Sequence, residues 1–290
     1  MSPKDDRATP PPLPEPLAVA VADSHTHLDM QSGTPAEGLA RAASVGVTTV
    51  VQVGCDVPGS HWAAELAAQY EQVHAAVALH PNEAPRIYLG DPDGWSGQRR
   101  PAGGAAALDA ALAEIDALAA LPHVRAVGET GLDYFRTGPE GVEIQKESFR
   151  RHIEMAKRHG KALVIHDRDA HEDVIAVLLA EGAPERVVFH CYSGDAEMAK
   201  LCAEHGWYLS FAGPVTFKAN QPLRDALAVT PLDRILVETD APFLTPHPYR
   251  GRPNAPYLIP VTVRSMAATL GLHEDELSAA IAANTARAFG

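Results

Sequence analysis

Ala18-Val19-Ala20-Val21-Ala22-Asp23-Ser24-His25-Thr26-His27 is the stretch on which the fold turns. Its apolar half has the composition of a short buried strand. Its second half sets two histidines two residues apart, so an extended chain can turn both imidazoles toward one point. Neutral imidazole is a common ligand of first-row divalent metals. Two such histidines suit a hydrogen-bonded loop equally well, so the question is whether the pattern recurs. It does: similar apolar runs follow at Thr48–Val53, His74–Leu79, Val124–Gly128, Ala162–Ile165, Arg186–Phe189, Trp207–Ser210 and Ile235–Val237. Several are continuous rather than alternating, as expected of parallel strands buried on both faces.

Helical patterns lie between them, at Pro35–Val45, Ser60–Tyr70, Leu108–Leu121, Val142–His159, Ala170–Ala180, Ala196–His205 and Gln221–Ala228. Gly46 stands where a helix would be capped, and two further helices are expected at Pro260–Leu270 and Glu274–Ala288. Strands alternating with helices in this way predict an α/β fold, a (β/α)8 TIM barrel, over an open doubly wound sheet. Two segments break the rhythm: Arg86–Gly104, rich in Gly and Pro from Gly90 onward, is expected to be a long loop, and Ala241–Ile259 is proline-rich.

The 290 residues suffice for one such barrel, which needs about 250. Residues 1–17, with prolines at 3, 10, 11, 12, 14 and 16, are expected to be a disordered leader, and 18–290 a single catalytic domain. The leader has no apolar core of a signal peptide. No apolar run approaches the roughly 20 residues of a membrane span, so no membrane partner is expected. Three cysteines without C-x-x-C spacing argue against a disulfide framework and fit a cytoplasmic protein. A net charge of −13 does not announce a nucleic-acid binder, since affinity for phosphate backbones comes from Lys and Arg. Any such binding must come from a local cluster or from metal ions.

In a barrel, residues at the C-terminal strand ends converge on one mouth. Here those positions hold His25 and His27, then His80, Glu129, His166, His190 and Asp240. One histidine so placed could be a core or capping residue; a ligand-type residue at nearly every strand end is a different matter. Two divalent ions about 3.5–4 Å apart sharing one carboxylate suit this number of ligands. Glu129 is the natural bridge, His25, His27 and Asp240 the holders of one ion, and His166 and His190 of the other. Two such ions acidify a water that can attack phosphorus or a carbonyl carbon, and Asp240 is placed to take its proton. The nitrogen-rich donors suit Mn or Zn at least as well as Mg.

With these residues assembled, the chain closely resembles the TatD family of metal-dependent hydrolases, among the amidohydrolase-like barrels. The motifs are Asp23-Ser24-His25-Thr26-His27-Leu28-Asp29, Leu79-His80-Pro81, Gly128-Glu129-Thr130-Gly131-Leu132-Asp133-Tyr134, Ile165-His166-Asp167-Arg168, His190-Cys191-Tyr192-Ser193-Gly194, Thr216-Phe217-Lys218 and Glu238-Thr239-Asp240-Ala241-Pro242. The resemblance implies that His25, His27, Glu129 and Asp240 hold a first metal and Glu129, His166 and His190 a second. It places His80 near the scissile phosphate and suggests Mg. It further implies a deoxyribonuclease, removing nucleotides 3′ to 5′ from single-stranded DNA or 3′ ends. Departures are confined to Thr130, Tyr192, the order Ala219-Asn220 and the long loop Arg86–Gly104.

Phosphate contacts are expected from Arg168 and Lys218, which the motifs contain, joined by Arg136, Arg250 and Arg252. Tyr134 and Tyr192 are candidates to stack on a base or sugar. A monomer is expected. The alternative is a hydrolase of small esters or lactones, phosphotriesters or D-aminoacyl-tRNA on the same scaffold, which the acidic charge and the long loop favour.

Overall fold

A computed structural model describes residues 8–91 and 99–290. Eight strands form one sheet in the order β1 to β8: Val21–Thr26, Val47–Gly54, Val73–Val77, Val124–Asp133, Ala162–Arg168, Val187–Phe189, Tyr208–Phe211 and Ile235–Val237. Among the described residues ten α-helices accompany them: α1 Pro35–Ala43, α2 Val57–Gln69, α3 Glu83–Leu89, α4 Gly104–Ala119, α5 Pro139–His159, α6 His171–Glu181, α7 Ala196–Glu204, α8 Gln221–Val229, α9 Ile259–Leu270 and α10 Glu274–Phe289. Sequential parallel strands, each reached through helix, are the (β/α)8 barrel topology expected from the sequence. The chain divides into two compact units: the described residues up to Gln52 with His190–Ala288 and Gly290, and Val53–Phe189 with Phe289.

The first unit pairs β1 with the start of β2, Val21 opposite Val47 and Thr26 opposite Gln52, and β7 with β8. β1 begins later than its apolar run and continues through Asp23, Ser24, His25 and Thr26, all buried. Those polar side chains are hydrogen-bonded inside the fold, which hydropathy cannot register. α1 starts at a capping box in which the Thr34 hydroxyl accepts from the Glu37 amide and the Glu37 carboxylate accepts from the Thr34 amide. It ends on Ser44, with Gly46 two residues on at φ +88°, a region glycine enters at least cost.

Much of the stretch expected to be a disordered leader is tied down. Arg252 donates to the carbonyls of Thr9 (2.8 Å) and Pro10 (2.7 Å), the Tyr257 hydroxyl to that of Pro11 (2.7 Å), and Arg264 to that of Pro16. Leu17 is buried, and its amide bonds to Val45. Prolines lack an amide hydrogen but keep an accepting carbonyl, and this unit supplies the donors. Residues 1–7 lie outside the described set.

In the second unit β4 is the longest strand and pairs with β3 and β5. Val124, Ala126, Val127 and Leu132 of β4 and Ala162 to Ile165 of β5 are wholly buried, beside Leu112, Ile115, Phe149 and Ile153 from the helices. Each large apolar side chain buried this way contributes about 1.5–3 kcal/mol. α3 overturns the start of the expected loop at Arg86: Pro85 sits in its first turn, where an amide donor would have no intrahelical acceptor, and Glu83 lies at the helix's positive end. Beyond α3, Asp91 and Arg100 exchange backbone hydrogen bonds, while Arg86 and Arg100 both pair with Glu83. The remainder of that loop, residues 92–98, lies outside the described residues.

Candidate metal centre

In the first unit His25 is the fifth residue of β1, and His27 follows the strand's end. Their Nε2 atoms are 3.3 Å apart. Asp240, three residues past β8, brings Oδ1 to 3.5 Å from His27 Nε2 and 3.8 Å from His25 Nε2. The backbone sets this approach. The Asp240 amide donates to the His25 carbonyl and the His27 amide to that of Ala241, both at 2.9 Å. Asp240 sits at φ +52°, left-handed backbone that Asp tolerates better than most residues. Burial pushes its carboxyl upward, but the His27 hydrogen bond and the nearby His25 and His190 imidazoles outweigh this and leave it below the ordinary carboxylate value.

Asp23 is wholly buried beneath this cluster and accepts from the His25 amide (3.2 Å), the Thr239 amide (2.9 Å) and the Thr239 hydroxyl. Burial raises its pKa to about 7 against those hydrogen bonds. His190 follows β6 and stacks on His25, ring centroids 3.9 Å apart and 16° from parallel. Its Nδ1 lies 3.2 Å from Glu238 Oε1, which also accepts from the Cys191 amide at 2.7 Å.

In the second unit Glu129 of β4 is buried and brings Oε1 to 2.7 Å from His166 Nδ1 and 3.3 Å from His80 Nε2. Cys55 donates its thiol to Oε2 at 3.7 Å. Gly131 permits this arrangement. It pairs with His166 across β4 and β5 at φ +134°, and a Cβ there would stand 2.1 Å from the His166 carbonyl oxygen. His80 Nδ1 accepts from the Asn82 amide at 3.0 Å, so a neutral His80 carries its proton on Nε2, toward Glu129. Burial lowers the pKa of His80 despite the opposing Glu129 charge and keeps the ring neutral.

Asp133, at the end of β4, accepts from His166 Nε2 (3.2 Å), from Asn82 Nδ2 (2.9 Å) and from the amides of Phe135 and Arg136. Burial alone would raise its carboxyl; the hydrogen bonds from His166 and Asn82 hold it far below the carboxylate range. Gln145 accepts from the Asp133 amide at 2.9 Å and donates to its carbonyl. Behind His80, the buried His152 accepts from the Leu79 amide at 3.1 Å and donates Nδ1–H to the Ser148 carbonyl at 2.7 Å.

Thus the fold gathers His25, His27, His190 and Asp240 in one unit and His80, Glu129 and His166 in the other. Within the first, His25, His27 and Asp240 offer ligand atoms that lie within 4.8 Å of one another; within the second, His80, Asp133 and His166 do so. Asp133, Glu238, Asn82 and Asp23 were not singled out from sequence. Spacing held a signal for Asp23, two residues before His25 in the same strand, the interval that returns a strand to the same face.

The expected substrate contacts are placed as follows. The Arg168 guanidinium lies 3.9 Å over the Phe135 ring, and Arg250 lies 4.7 Å over Phe217. Lys218 is exposed. The Tyr134 hydroxyl donates to Asp173 at 2.6 Å, which with burial raises its pKa, while Tyr192 is buried. Arg252, expected among the phosphate contacts, is instead held by the carbonyls of Thr9 and Pro10.

The sequence pattern of the TatD-related DNases matches residues 22–290. The chain belongs to the TatD family. A TatD relative from Mycobacterium tuberculosis, named an uncharacterized metal-dependent hydrolase, is 42% identical over 93% of this chain and 98% of its own. YabD of Bacillus subtilis, also named an uncharacterized metal-dependent hydrolase, is 37% identical over 92% of this chain and 98% of its own. Among solved structures, the TatD homologue YjjV of Escherichia coli superposes with a TM-score of 0.79 at 26% identity, covering 93% of this chain and 97% of its own.

Proposed function

We propose that this member of a family of metal-dependent hydrolases is a deoxyribonuclease that hydrolyses phosphodiester bonds at the ends of DNA, preferring single strands and 3′ ends. The observation that carries the proposal is the His25–His27–Asp240 cluster, whose ligand atoms lie within 4.8 Å of one another. Two buried imidazoles and a partly exposed carboxylate, without a thiolate, are donors that fit Mn, Zn or Mg. In this reading His25, His27 and Asp240 would hold a divalent cation in the first unit, His190 is a further candidate ligand there, and Glu129 and His166 are the candidate ligands of the second unit, all at or near the strand ends where a (β/α)8 barrel keeps its chemistry. Such cations, when bound, acidify water and neutralise developing charge on the phosphoryl oxygens.

The protein's own groups do the rest. Asp240, kept ionised, accepts the proton of the attacking water. His80, neutral and carrying its proton on Nε2, donates a hydrogen bond to a phosphate oxygen. Arg168, Lys218 and Arg250 contact backbone phosphates, and Tyr134 offers its ring to a base or sugar. Residues 18–290 act as one catalytic domain in a cytosolic monomer. Cys55, Cys191 and Cys202, all reduced, suit that compartment. Among the described residues no helix is long and apolar enough to cross a membrane.

The test is nucleotide release from an end-labelled single-stranded oligonucleotide by protein stripped of metal and reloaded with Mg, Mn or Zn. Release is expected, abolished by EDTA and by Glu129→Ala. Absence of cleavage across single- and double-stranded substrates with all three metals, alongside turnover of a lactone or phosphotriester, overturns the assignment.

A further inference from the structure

We propose that Asp133 and Glu238 are positioning residues that fix which ring nitrogen His166 and His190 each present to a divalent cation, and that they select opposite nitrogens. The inference rests on the reading of His166 and His190 as metal ligands, and not on DNA as substrate.

Asp133 is held on both oxygens. Oδ1 accepts from the amides of Phe135 (3.1 Å) and Arg136 (3.0 Å), and Oδ2 accepts from Asn82 Nδ2 (2.9 Å) beside His166 Nε2 (3.2 Å). A carboxylate surrounded by donors can only accept, so His166 must supply a hydrogen from Nε2. A neutral imidazole carrying that hydrogen leaves its lone pair on Nδ1. That nitrogen lies 2.7 Å from Glu129 Oε1, itself an acceptor. Two lone pairs facing at this distance repel unless a cation or a proton lies between them. The geometry therefore aims Nδ1 of His166, with Glu129, at a positive charge.

The second pair is built the other way round. Glu238 Oε1 accepts from the Cys191 amide at 2.7 Å and lies 3.2 Å from His190 Nδ1. The amide bond commits that oxygen to accepting, so His190 donates from Nδ1 and its lone pair is left on Nε2. Glu238 is wholly buried and His190 nearly so. Water is thus a poor competitor for the ring proton, and the tautomer follows the carboxylate. A carboxylate behind an imidazole also raises its basicity as a ligand, and losing such a partner typically costs about 10–100-fold in metal affinity.

The experiment measures the ring nitrogens by histidine 15N–1H NMR on the whole, Zn-loaded protein, with His166→Gln and His190→Gln assigning the signals. His166 is expected with hydrogen on Nε2 and His190 with hydrogen on Nδ1. In parallel, Zn and Mn affinities of wild type, Asp133→Asn and Glu238→Leu are read by competition with a chromophoric chelator. Each variant should bind about 10–100-fold more weakly and show a mixed tautomer population at its own histidine only. Hydrogen on Nδ1 of His166 or on Nε2 of His190 in wild type overturns the proposal, as does a variant with unchanged affinity. The wild-type tautomers decide the matter even where a variant fails to fold. A protein with the expected tautomers and affinities but no DNA cleavage would overturn the substrate assignment while leaving this inference standing.

Discussion

Acidification should loosen this protein through His152, a residue that touches no candidate ligand. The ring is wholly buried behind the strand end that carries His80, accepts from the Leu79 amide and donates to the Ser148 carbonyl. Burial lowers its pKa from 6.5 to about 4. The sign follows from linkage: the folded pKa lies below the unfolded one, so the stabilisation is fully present above 6.5 and is lost as pH falls toward 4. At about 1.4 kcal/mol per tenfold in protonation, the whole drop amounts to about 3 kcal/mol, of which about 2 kcal/mol has gone by pH 5. The assay is urea unfolding of metal-stripped wild type and His152→Gln at pH 7.5 and pH 5. Glutamine can still accept from the Leu79 amide but cannot be protonated, so the variant should be less stable at pH 7.5 and close on wild type by about 2 kcal/mol at pH 5. A stability difference identical at the two pH values would show that His152, despite its burial, does not couple folding to protons.

Gly131→Ala should cost on the order of 3 kcal/mol or more, since the new Cβ meets the His166 carbonyl in a backbone region hostile to side chains; a thermal midpoint within a degree of wild type would contradict this. Metal at 100 times its dissociation constant should stabilise the stripped protein by about 2.7 kcal/mol, raising the midpoint by about 5 °C. His25→Ala should blunt that rise, and its persistence in full would remove His25 from the ligand set. Arg252→Ala should release residues 9–17 at a cost of about 1 kcal/mol, seen as faster cleavage there in limited proteolysis; unchanged cleavage would show that other contacts hold the segment.

The barrel was legible because parallel strands buried on both faces must be short continuous apolar runs, and Ile235–Val237 matches its strand to the residue. Strand ends were less legible where the chain turns polar but stays inside. β1 continues through Asp23 and His25, and β4 through Glu129 to Asp133, because hydrogen bonds satisfy those groups where hydropathy sees a loop. α3 was hidden by its length and by Pro85, harmless only because it falls in the first turn. The candidate metal donors were visible as residue types at strand ends. Their carboxylate partners Asp133 and Glu238 were not, since an acidic residue looks the same in sequence whether it meets a cation or an imidazole N–H. The order around Thr9 to Leu17 depends on Arg252, Tyr257 and Arg264, more than 200 positions away, which no local composition reveals.

The exchange of amide hydrogen bonds that ties His25 and His27 to Asp240 and Ala241 has a bearing on engineering. Every atom in those two bonds belongs to the main chain, so the frame survives replacement of any of the three donor side chains. The donor type becomes an interchangeable part: cysteine, aspartate or asparagine can be installed at 25 or 27, and asparagine at 240, where the left-handed backbone favours it, without redesigning the scaffold beneath. Metal preference in this protein should therefore be retunable by point substitution, with the mounting inherited unchanged.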